Sequence, residues 1–182
     1  MGTTARTLTL AAAALAWTAA PAAAQDDPLA AALRANRSTF ELRADGSLAG
    51  AGADLLLAGG RDARFLLIGE EHGVAEVPAL VTALFRALGP YGYRHLAIET
   101  GDAAAAQLNR LAASPEPMQA MTRFFTEHFP GVAFFTMREE AKMLADVVAA
   151  AGGRGEVLWG PDNDSLAHRR ALRRVGRRGP RD

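Results

Sequence analysis

Three short apolar runs punctuate the middle of this chain, and each stops at a glycine or an acid. They are Arg64–Ile68 (RFLLI) before Gly69, Tyr93–Ile98 (YRHLAI) before Glu99, and Glu156–Trp159 (EVLW) before Gly160. Runs of four to six residues, apolar without alternation, read as strands buried on both faces. Helical patterns separate them. Val77–Leu88 places Leu80, Leu84, Phe85 and Leu88 on one face. Asp102–Leu111 follows the second run, with Asp102 as its N-cap. Pro115–Phe129 and Met137–Ala151 come next, the latter stopped by Gly152 and Gly153. Strand, helix, strand, helices, strand predicts an α/β fold: a partial parallel sheet of about three strands with flanking helices.

A smaller arrangement precedes the first run. Asp26–Arg37 has Leu29 and Leu33 at helical spacing. Thr39–Arg43 alternates and meets the turn signal Ala44-Asp45-Gly46-Ser47, which predicts an N-terminal hairpin ending near Leu48. Ala53–Ala58 reads as a short helix closed by Gly59-Gly60. Ahead of all this, Met1–Ala24 has the form of a secretory signal. Arg6 supplies the charged start, Leu8–Ala20 the apolar stretch, Pro21 the break, and Ala22–Ala24 the small residues before a cut at Gln25. That stretch is short and alanine-rich for a membrane anchor. The expectation is a protein exported across the membrane, not integral to it, and periplasmic or secreted. The absence of cysteine is compatible with such a compartment. The expected organisation is a signal peptide over 1–24, a helix and hairpin over 25–60, an incomplete α/β domain over 61–164 and a basic, disordered tail over 165–182.

The formal net charge is zero, but it sums unlike parts. Ser165–Asp182 carries seven arginines and one acid, while Gln25–Asp164 holds 12 basic and 19 acidic residues. Three readings of the tail stand open: a nucleic-acid or membrane arm, a plain solvated end, or a shifted reading frame. The tail has no aromatic residue to stack on bases and no clean amphipathic face, so no nucleic-acid partner is expected. A balanced composition with 49% hydrophobic residues excludes a disordered polyelectrolyte, and the lack of cysteine excludes a disulfide-stapled mini-protein.

The strongest chemical signal is Gly69-Glu70-Glu71-His72-Gly73, directly after the first run. In open α/β sheets ligands bind beyond the carboxyl ends of the strands. Glu99 ends the second run and Asp162 follows the third, so parallel strands would bring Glu70, His72, Glu99 and Asp162 to one rim. A histidine oriented by carboxylates suits general-base activation of water. The same residue types also suit a divalent metal. Glu70, His72 and Glu99 are therefore the catalytic candidates, with Arg138 as a group that could reach the rim and bind an anion. His95 reads as a packed or surface histidine and His128 as a helix-end cation; His168 falls in the doubtful tail. Phe124, Phe125, Phe129, Phe134 and Phe135 read mainly as core. There is no phosphate loop, no dinucleotide-binding glycine pattern and no Gly-x-Ser-x-Gly elbow.

These pieces, in this order, resemble the erythromycin esterase/ChaN-like superfamily. FLLIGEEHGVAE is similar to its first-strand motif, with Glu76 on the following helix. YGYRHLAIETG is similar to the second motif. Arg138 with Glu139, followed by VLWGPDND, is similar to the later Arg/Glu helix and final strand. The resemblance covers roughly Arg64–Asp164. Its esterase branch implies a hydrolase acting on ester bonds through a His-activated water, with His72 as base and Glu70 and Glu99 as orienting groups. Glu71, Glu76, Arg138 and Asp162 would then face a small-molecule substrate. The ChaN branch implies a haem-binding uptake protein, and Tiki-type relatives imply a metal-dependent protease, so haem or a divalent metal is the alternative ligand. One residue separates Glu70 from His72 where the esterases have two, a spacing closer to ChaN. The following helix lacks the esterases' basic residue. The esterases are also longer and draw on a second half, so a truncated or frameshifted member, with an inactive fragment as one outcome, is the expectation.

Overall fold

A computed structural model describes residues 27–69, 71–128, 132, 134–153 and 155–162. The signal segment, Glu70, Phe129, the arginine-rich tail and His168 lie outside the described residues. Contacts divide the chain after Arg37, and the two units are taken separately. In the first, helix α1 spans Pro28–Ala35. The Asp27 carboxylate accepts from the Leu29 N–H at 3.0 Å, and Pro28 fills the first helical position, where no N–H is required.

The second unit begins with the expected hairpin. Strands β1 (Glu41–Leu42) and β2 (Leu48–Ala49) pair antiparallel. The turn is held by Asp45, whose carboxylate accepts from the Ser47 hydroxyl at 2.7 Å and the Ser47 N–H at 2.9 Å. These bonds hold the Asp45 carboxyl below its usual pKa. Helix α2 (Ala51–Asp62) follows, and here the sequence expectation fails. Gly59-Gly60 does not end the helix. A Cβ on Gly60 would lie 2.6 Å from Leu88 Cδ1, so this glycine admits a close helix–helix approach instead of a stop.

Helices α3 (Glu76–Leu88), α4 (Asp102–Ala112), α5 (Pro117–Glu127) and α6 (Arg138–Ala150) match the expected helical stretches to within a few residues. Helix α4 is capped by Gly101, not by the Asp102 side chain. Helix α6 touches α3, α4 and α5. Its buried stripe of Met143, Leu144, Val147 and Val148 meets Phe85, Leu108, Met121 and Phe124 in one core. Full burial of each such side chain is worth about 1.5–3 kcal/mol. The helix ends as predicted: Gly152 takes a left-handed φ of 92°, and the Gly153 N–H donates to the Val148 carbonyl at 2.8 Å. Among the described residues no helix is long and apolar enough to cross a membrane.

The sheet is narrower than expected. Strands β3 (Leu96–Ala97) and β4 (Leu158–Trp159) pair in parallel, with Leu96 opposite Leu158. Arg64–Ile68, read as the first buried strand, has no ladder partner among the described residues. Phe65 is 76% exposed and Leu67 91%. An apolar strand of this kind is stable only when both faces are covered, and here Phe65 and Leu67 face solvent. The fold is therefore mixed helix and strand, with two-stranded sheets among the described residues.

The outer edge of β4 is closed by a side chain. Leu158 turns its N–H and carbonyl away from β3, and the buried Asn109 of α4 meets both. Its Oδ1 accepts from Leu158 N at 2.9 Å and Val157 N at 3.1 Å, and its Nδ2 donates to the Leu158 carbonyl at 2.7 Å. The amide stands in for a neighbouring strand at an edge that would otherwise be unpaired. Asn109→Ala leaves these buried backbone groups without partners. It should lower unfolding stability by about 2–4 kcal/mol, read from urea denaturation.

Candidate active site

The loop before α3 brings His72 to the carboxyl end of β3. Gly73 takes a left-handed φ of 84°, which lets the chain turn from His72 into α3. His72 Nε2 lies 3.3 Å from Glu99 Oε2, so two candidates 27 positions apart in the sequence meet. Glu99 is held at the strand end by backbone. The Asp162 N–H donates to the Thr100 carbonyl at 3.0 Å. Gly160 passes so near that a Cβ would sit 2.7 Å from that same carbonyl oxygen. A side chain at position 160 would push β4 off the end of β3.

On its other side the imidazole meets a residue outside the sequence-derived set. His72 Nδ1 lies 3.5 Å from Glu140 Oε1. The Glu140 side chain is only 9% exposed, against 47% for Glu99. Its second oxygen accepts the Met137 N–H at 3.2 Å. Glu140 is the third residue of α6, where a carboxylate reaches back to the helix start and meets the positive end of the helix dipole. Those interactions stabilise a carboxylate that is otherwise expensive to bury. The sequence held a signal for it. The apolar stripe of α6, carried back one turn from Leu144, lands on Glu140, so an acid occupies a core position.

Two phenylalanines fix the ring. Phe134 stacks on His72 with centroids 3.9 Å apart and planes 6° from parallel, and Phe135 stands edge-on at 6.3 Å. Both adopt left-handed backbone, at φ 58° and 51°. A non-glycine residue there costs about 1–3 kcal/mol, and such strain gathers where surrounding structure imposes a geometry. Phe135 and Phe124 are buried, as expected of core residues, whereas Phe134 is exposed at the site.

The remaining candidates divide. Glu71 is exposed and lines a cavity of about 610 Å³ that also reaches His72, Glu140, Phe135 and the unpaired Arg64–Ile68 segment. Asp162 stands exposed at the strand ends beside Thr100. Glu76 and Arg138 are exposed first residues of α3 and α6. Glu70 lies outside the described residues. His95 stacks on Trp159 at 4.3 Å and donates from Nδ1 to the Glu156 carbonyl at 2.9 Å, a packed surface role. His128 Nδ1 donates to the Phe124 carbonyl at the end of α5. No group of three or more metal-ligating side chains among the described residues could hold an ion. The two carboxylates approach opposite nitrogens of one ring.

Comparison with known protein families, characterised proteins and solved structures returns no match.

Because Phe134 is exposed and strained, Phe134→Gly should leave unfolding stability unchanged or raise it by up to about 1 kcal/mol. The same change removes the ring above His72, so the His72 ring-proton resonances should move downfield. Unmoved resonances would show that the stack does not hold in solution.

Proposed function

We propose that this chain is an exported hydrolase of the erythromycin esterase/ChaN-like kind, cleaving ester bonds with a water activated by His72. The observation that carries the reading is the meeting of His72 with Glu99 at 3.3 Å across the end of β3. Glu99 is half-exposed, so it can turn aside and admit a water between its carboxylate and Nε2. That water donates one proton toward Nε2 and the other toward Glu99. As Nε2 takes its proton, the oxygen attacks the ester carbonyl carbon. Collapse of the tetrahedral intermediate breaks the carbon–oxygen bond to the alcohol, which leaves with the proton from Nε2.

Glu71 supports a place for substrate, since it lines the cavity beside His72. Roles for Glu70, Glu76, Arg138 and Asp162 rest on the resemblance. The same reading makes Arg64–Ile68 a third parallel strand on the free edge of β3. Its support is the segment's apolar sequence and its position on the wall of a cavity that β3 also lines; pairing there would narrow that space. Secretion rests on the composition of Met1–Ala24. The alternative, a haem- or metal-binding protein without catalysis, gains no donor set from the described residues.

The test is hydrolysis of p-nitrophenyl esters by the purified chain. His72→Ala should reduce turnover to the uncatalysed rate, and Glu99→Gln should lower kcat by roughly 10²–10⁴-fold. Equal activity in wild type and His72→Ala would sink the proposal.

A further inference from the structure

The imidazole of His72 stands between two carboxylates, and a neutral imidazole has one N–H to give. Which carboxylate receives it decides which nitrogen is free to act as a base. Geometry favours Glu99: Nε2 makes a hydrogen bond to it at 3.3 Å, whereas Nδ1 and Glu140 lie at an ion-pair distance of 3.5 Å. Burial favours Glu140. An exposed carboxylate deprived of its partner turns to water at little cost, while a buried one without a donor bears its desolvation in full. Glu140 is also the less able to move. Met137 N–H holds one of its oxygens, and its backbone is fixed in the first turn of α6, on the same stripe as Leu144 and Val147. Phe134 and Phe135 hold the ring plane from a face and an edge. Among the described residues Glu99 has no comparable restraint on its side chain, and it sits at the open side.

We infer that Glu140 is the positioning residue of this site. It accepts a hydrogen bond from the Nδ1–H of His72, fixes that tautomer, and leaves the Nε2 lone pair directed outward to the open side, where Glu99 turns aside for the attacking water. This deepens the hydrolase reading and rests on His72 being its working group. The role parallels any buried carboxylate that orients a histidine through the nitrogen not used in chemistry.

The experiment is long-range ¹H–¹⁵N correlation on the full chain carrying ¹⁵N-histidine, at alkaline pH where the rings are neutral. The His72 signals are identified by their loss in His72→Gln. His95, which donates from Nδ1 to a backbone carbonyl, serves as an internal reference. Wild-type His72 should be in the Nδ1–H form, although a solvated imidazole prefers Nε2–H. Glu140→Met, which keeps the side-chain length and removes the charge, should return the ring to Nε2–H. Glu140→Gln retains an acceptor for Met137 N–H and should show a reduced Nδ1–H share if the Met variant does not unfold cooperatively. Glu99→Gln should leave the Nδ1–H form in place. Wild-type His72 in the Nε2–H form, or a tautomer unchanged in both Glu140 variants, would overturn the assignment. Ester turnover reads the other question. Where the wild type is active, Glu140→Met should lower kcat roughly 10–100-fold with KM little changed. A wild type that hydrolyses no ester, yet switches tautomer on Glu140→Met, would refute the hydrolase reading and leave the positioning role intact.

Discussion

The parallel pairing of β3 with β4 is the constraint on which the rest depends. It joins segments about sixty residues apart, with Leu96 set opposite Leu158, and everything between them must fold back over the sheet. That intervening chain is α4, α5 and α6. Because α6 is fixed by its stripe against α3 and α4, its first turn arrives near the end of β3 with Glu140 already oriented. Glu99 comes with the strand itself. Two carboxylates from separate elements therefore reach one imidazole as a consequence of strand register and helix packing, not of local sequence. The sheet does not extend past β4 because the Asn109 amide satisfies that edge, the role another strand would otherwise fill.

The helices were legible in the sequence because each has a 3.6-residue apolar period and strong end signals, such as Gly152 and Gly153 after α6. The glycines of α2 misled for a physical reason. Glycine ends a helix when the chain turns left-handed, but it also lets two helices approach, and Gly60 serves Leu88 in this second way. Arg64–Ile68 differs in kind, since it has no ladder partner among the described residues. Apolar composition reports what a segment would bury, given a neighbour; it does not supply the neighbour. At the site, His72 and Glu99 could be picked out because both follow apolar runs. Glu140 could not be found by that rule, since it belongs to a helix start. The rule that finds it is the mismatch of an acid on an apolar stripe.

Two kinds of cost concentrate around His72. One is the burial of the Glu140 carboxylate; the other is the left-handed backbone at Phe134 and Phe135. The second could be relieved by a glycine at position 134, whereas removing the carboxylate at 140 would also free the Met137 N–H it holds. Local preferences in a foldable chain usually agree with the global fold, and disagreements collect where a geometry is imposed. Both disagreements here act on the same ring, one through a nitrogen and one through its face.

The acidity of the cluster bears on the proposed chemistry. A neutral imidazole between two carboxylates is under-supplied with protons, since it can satisfy one of them. When Nε2 takes a proton from water, the ring becomes an imidazolium with an N–H toward each side. Glu140 and Glu99 are then both partnered, and the positive charge lies between two negative ones. The arrangement thus fits the state after proton transfer better than the state before it, and only an interaction that strengthens along the reaction accelerates it. The opposing effect is on the substrate. A tetrahedral oxyanion formed near Glu71, Glu99 and Glu140 is repelled by each of them, so proton abstraction cannot be the whole of the catalysis. A cation or a set of backbone N–H groups must face the oxyanion. On the proposed reading, Arg138, the exposed first residue of α6 and two positions before Glu140, is the candidate for offsetting the negative charge that the carboxylates around His72 create.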